Sequence, residues 1–129
     1  MKYKDPLIIT SLLSILLLSL HFTDDIVRGI SPVGSANIGA SVILLVFLYG
    51  TVELAERRSG LVLMLLGGIF AFGMPVIHLR GARIGEIAAS SGGFFFMWTL
   101  FALGTTGLYA IILTARRLWN LRSGAPRGP

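Results

Sequence analysis

Four long apolar blocks, parted by short charged punctuation, constrain this chain more than any motif in it. Charged side chains cluster at 2–5, 24–28, 53–58, 80–86 and from 116 onward, and none lies between Arg28 and Glu53. Each intervening block is long enough, or nearly so, to cross a roughly 30 Å hydrocarbon layer as a helix. Inside lipid an unpaired backbone amide is very costly, so helices are the default solution. Only 13% of the 129 residues are charged, against about 25% in soluble domains, and the mean hydropathy is +0.82. The fold expected is therefore all-α: a compact polytopic bundle of four transmembrane helices over residues 1–122.

The first span is expected over about 6–27. Asp5 is placed to cap it, Pro6 suits the first helical position, and Gly29 suits the end. Lys2 and Lys4 before an apolar run resemble the start of a signal peptide, but no small-x-small cleavage pattern follows, so an uncleaved span is expected. Steps of three and four residues put Ser11, Ser14, Leu18, His21 and Asp25 on one stripe, expected to face the other helices.

The second span is expected over about 36–56, with Gly39, Ile43, Val46, Gly50 and Glu53 as its small-residue contact stripe. The third, about 61–79, carries Gly67, Gly68, Gly73 and the helix-interrupting Pro75. A short interfacial helix is expected within 82–91. The fourth span, about 94–116, opens on Phe94, Phe95, Phe96 and Trp98, read as an aromatic belt at the membrane boundary. Gly104 and Gly107 would allow close packing, and 123–129 reads as a disordered tail.

Charge fixes an orientation. Lys2, Lys4, Arg57, Arg58, Arg116, Arg117, Arg122 and Arg127 fall on one side of such a bundle, and only Arg28, Arg80 and Arg83 on the other. Cations in short loops mark the cytoplasmic side, so both termini are expected there, in a bacterial inner (plasma) membrane. The net charge of +5 is thus a topology signal, with membrane lipid as the partner and no nucleic acid expected. The absence of cysteine excludes disulfides, thiolate zinc sites and iron–sulfur clusters.

The chemistry-bearing residues gather on the outer side. The first span delivers His21, Asp24, Asp25 and Arg28; the third, running the same way, delivers His78 and Arg80; the interfacial segment adds Arg83 and Glu86. Imidazole nitrogen and carboxylate oxygen bind zinc, iron or manganese, and an i,i+4 pair is an economical way for one helix to supply two ligands. His21, Asp25 and His78 are the candidate ligands, with Glu86 or Asp24 as fourth ligand or as catalytic base if the protein is an enzyme. Arg28, Arg80 and Arg83 are candidates for a polar or headgroup ligand. A haem held between His21 and His78 is a lesser variant. The plain alternative is a salt-bridged helix cap, since histidines and carboxylates are ordinary at a lipid–water boundary.

On the cytoplasmic side Glu53, Glu56 and Arg57 form a second charged group, with Glu53 and Arg57 as an i,i+4 pair. An acidic residue on a helix face can carry protons in a transporter, but no carboxylate sits near mid-membrane in any block. Three functions stay open: a binding or accessory membrane protein with a His/Asp cluster at its extracytoplasmic surface, a metal-dependent enzyme using that cluster, and a homo-oligomeric transporter or channel.

Overall fold

A computed structural model describes residues 5–31, 34–81 and 83–124. These form five helices: α1 (Pro6–Val27), α2 (Ser35–Val52), α3 (Arg58–Leu79), α4 (Ile84–Ala89) and α5 (Gly93–Arg122). All but α4 are long and apolar enough to cross a membrane. Their outward surface is apolar as well: Leu16, Leu45, Leu66 and Ile77 are each more than half exposed. A water-soluble protein rarely shows so large a continuous apolar surface, whereas lipid tails cover one without cost.

Local chemistry sets the ends of α1. The Asp5 carboxylate accepts the Leu7 amide at 3.0 Å while Pro6 opens the helix. At the far end Gly29 takes φ +67°, so that its amide reaches the Ile26 carbonyl and the Ile30 amide reaches that of Asp25, at 3.0 and 2.9 Å. This double closure uses a glycine because an L side chain resists that backbone angle.

α5 is the axis of the bundle and packs along both α3 and α1. Its contact with α3 is backbone against backbone. A Cβ on Gly107 would lie 2.6 Å from the Phe72 nitrogen, and one on Gly104 would lie 2.6 Å from the Pro75 ring. Small residues supply such close approach where lipid removes the hydrophobic drive between helices. The interior divides into two apolar groups. Leu7, Ile15, Phe47, Leu61 and Met64 fill one end, and Leu18, Ala71 and Leu103 fill the other.

α1 and α5 run antiparallel and are fastened at both ends. Arg117 pairs with Asp5 at one end. At the other, Arg28 donates to Asp24 at 2.7 Å, to Ser90 Oγ at 2.9 Å and to the Ser91 carbonyl at 3.3 Å.

α2 departs from the sequence expectation. Of its small-residue stripe only Gly50 is buried; Ile43 and Val46 are exposed, and nothing lies within 4 Å of a Cβ on Gly39. The packing face is rotated onto Phe47, Gly50 and Thr51, with the Phe47 ring seated over Gly67. The N-terminal half stands off from α3, leaving an apolar groove of about 310 Å³ between Val42, Val46 and Phe47 on one side and Leu63, Leu66 and Phe70 on the other. α2 also stops at Val52, short of 56. The turn that follows brings the Leu54 carbonyl so close to Gly60 that no Cβ would fit there.

α5 continues to Arg122, beyond 116, and its 30 residues rise about 45 Å at 1.5 Å each, more than the hydrocarbon layer needs. α4 falls within the span expected for a short helix, and none of its residues is buried. Pro32, Ala82 and 125–129, the last being most of the expected tail, lie outside the described residues, as do Lys2 and Lys4.

Candidate metal centre

α1 and α3 run parallel, so their C-terminal turns meet at one end of the bundle. α1 brings His21 and, one turn on, Asp25; α3 brings His78; α5 brings Phe96 and Thr99 in its first two turns. α2 packs through its other half, so α1, α3 and α5 build this end.

His21 is fully buried and Asp25 is 6% exposed. The His21 and His78 rings meet edge to face with centroids 4.9 Å apart. His78 Nε2 lies 3.2 Å from Asp25 Oδ2, and His21 Nε2 lies 3.8 Å from Asp25 Oδ1. One ligand atom from each of the three residues falls within 4.8 Å of the others. Such a cluster is capable of coordinating a metal ion. The Phe96 ring walls it, 4.7 Å from His21 and 5.7 Å from His78, and the Arg28 guanidinium lies over that ring, 5.7 Å from its centre.

Hydrogen bonding decides which nitrogens are free. Thr99 Oγ1 lies 3.0 Å from His21 Nδ1 and also 3.0 and 3.1 Å from the Phe95 and Phe96 carbonyls. A carbonyl only accepts, so the threonine hydrogen goes to the main chain and its oxygen accepts from His21 Nδ1–H. His78 Nδ1 lies 3.0 Å from the Met74 carbonyl and must likewise donate. In the neutral rings both Nε2 atoms therefore carry lone pairs. Both face the Asp25 carboxylate, another set of lone pairs. Among the described residues His21 Nε2 and Asp25 Oδ1 are buried with no hydrogen-bond partner, at a cost of about 1–3 kcal/mol for each such atom. A cation among these atoms turns that cost into ligation. Histidine ligands ordinarily donate their rear N–H to an oxygen acceptor in this manner.

Several sequence candidates are not brought to the cluster. Asp24 is held by Arg28. Glu86 is an exposed partner of Arg83 at 3.5 Å, and Arg80 is exposed at the end of α3. Asp24 and Glu86 do not fall in the group of three whose ligand atoms lie within 4.8 Å of one another, and Arg28 is tied to Asp24, Ser90 and Ser91 while Arg83 pairs with Glu86. The cluster itself is interior rather than a solvated lip. Glu53, Glu56 and Arg57 are exposed at the opposite end. α2 ends before Glu53, so the i,i+4 register that would pair it with Arg57 is lost, and among the described residues no ion pair joins them.

The haem variant does not fit. Axial imidazoles on opposite faces of a macrocycle stand farther apart than these rings, and the Asp25 carboxylate occupies the space between. Thr99 and Phe96 are the participants that sequence reasoning passed over. Their one signal is register, because Phe96, Thr99, Leu103, Gly107, Ala110 and Thr114 form the buried stripe of α5.

No protein-family model matches the chain, and comparison with curated proteins and with solved structures returned no match.

Proposed function

We propose that this is a membrane-embedded metal-binding protein that holds a divalent transition ion through His21 Nε2, the Asp25 carboxylate and His78 Nε2. Two imidazoles and one carboxylate suit zinc, iron or manganese. The observation that carries the reading is the pair of buried, unpartnered atoms, His21 Nε2 and Asp25 Oδ1, aimed at the same space as His78 Nε2. The 3.2 Å contact between His78 and the other Asp25 oxygen leaves both of these atoms without a partner among the described residues.

The ion belongs to the extracytoplasmic end of the bundle, because the cations gather at the other end. Its role is binding or accessory rather than conduction. Leu18, Ala71 and Leu103 close the interior directly beneath His21, and no carboxylate lies in the apolar blocks between the cluster and Asp5, Glu53 and Glu56 at the far end.

The test is metal analysis of protein made in metal-replete medium and purified without chelator, beside His21→Ala, Asp25→Asn and His78→Ala. Stoichiometric zinc, iron or manganese in the parent protein, lost in all three variants that still elute as folded protein, is the expected result. A parent protein that carries no metal and takes up none on titration would overturn the reading.

A further inference from the structure

The same cluster says how many positions on the ion the protein leaves unfilled, an inference that rests on the metal-binding reading. The geometry points to an open site: three protein ligands and at least one exchangeable position that takes water, hydroxide or a small anion. Structural zinc sites close all four positions with side chains, whereas sites that do chemistry keep one for an exogenous ligand.

Among the described residues, the nearby side-chain donors are already committed. Asp24 receives the Arg28 guanidinium at 2.7 Å, and that arginine is itself pinned to Ser90 and Ser91. Glu86 faces solvent with Arg83. Thr99 Oγ1 lies behind His21, on the ring nitrogen that points away from Asp25. The Met74 side chain packs into the apolar group of Leu18, Ala71 and Leu103. The remaining wall is the fully buried Phe96 ring, which offers no lone pair, and the chain has no cysteine.

Access is one-sided. The His78 side chain is 11% exposed where that of His21 is 0%, so an incoming ligand passes His78 rather than His21. An ion here would sit in a largely apolar surround with one face reachable. A divalent ion held there would supply Lewis acidity to a small ligand that enters past His78.

Cobalt(II) replaces zinc-type ions with a visible spectrum that responds to each change of ligand, so the experiment is a titration of cobalt-loaded protein in detergent with sodium azide. Cobalt bands that require His21 and His78, and that shift saturably as azide is added, are expected. Cobalt bands that azide leaves unchanged would overturn the open site while leaving the metal reading intact; Asp25 binding through both oxygens is one way to fill the fourth position. Azide shifts that persist in His78→Ala would place the responding ion elsewhere and also overturn it. Failure to take up cobalt at all would remove the metal reading itself.

Discussion

Thr99 makes the most specific demand at the scale of single residues. Its hydroxyl both donates to the α5 main chain and accepts from His21 Nδ1, which leaves the facing nitrogen of that ring bare. Thr99→Val keeps the shape and removes the acceptor. The buried imidazole then has reason to move its proton to Nε2, the atom proposed to bind metal. Metal affinity, measured by competition with a chromophoric chelator, is expected to fall about 10–100-fold, the usual cost of losing a ligand's rear partner. Thr99→Ser keeps the hydroxyl and is expected to restore most of the affinity. Asp24→Asn is expected to change metal content little, whereas Asp25→Asn abolishes it, because only the second carboxylate enters the cluster. The grouping of His21, Asp25 and His78 was legible because i,i+4 spacing and parallel helices are strong geometric constraints that need no side-chain detail. Thr99 was not legible. A threonine in an apolar helix satisfies itself on its own backbone, as this one does, and nothing in the sequence shows that its lone pair faces a histidine on another helix.

Between elements, glycine content announced close packing without saying which helices would use it. α2, α3 and α5 all carry small-residue stripes, yet only α3 and α5 bring their backbones together. The difference lies in the partner surface. Gly104 is filled by the Pro75 ring and Gly107 abuts the α3 backbone from Gly68 to Phe72, whereas Gly39 meets nothing within 4 Å. Gly107→Leu is therefore expected to force α3 and α5 apart. Overpacking of this kind costs about 1–3 kcal/mol, occasionally more, and here it would also displace His78 relative to Phe96 and Thr99. Thermal unfolding in detergent should show a clear loss of stability and of bound metal together. Gly39→Leu is expected to leave both unchanged, since the new side chain enters open space on the membrane side of α2. Destabilisation by Gly39→Leu equal to that by Gly107→Leu would mean that α2 is packed in a way the bundle does not show.

Across the whole molecule, orientation follows from charge placed on a fixed architecture. The end formed by the α2–α3 turn and the α5 C-terminus carries Arg57, Arg58, Arg116, Arg117 and Arg122. The opposite end has Arg28, Arg80 and Arg83, offset by Asp24, Asp25 and Glu86. The four long apolar blocks made the membrane character plain, and the parallel course of α1 and α3 follows from counting crossings. How deeply the His/Asp cluster is buried does not, because depth depends on Phe96 and on the turn before α5 that lets Arg28 clamp the bundle shut. The chain lacks cysteine, so single replacements at exposed serines report sidedness without background. Ser91→Cys is expected to react with a membrane-impermeant maleimide added to intact bacterial cells. Ser59→Cys and Ser123→Cys, at the other end of the bundle, are expected to react only after the membrane is broken. Inverted labelling would keep the architecture and move the metal to the cytoplasmic face, where the cell's own metal-buffering thiols compete for it. Labelling of Ser91 and Ser59 from the same side would be incompatible with α3 crossing between them, and would separate His78 from the membrane end that holds His21.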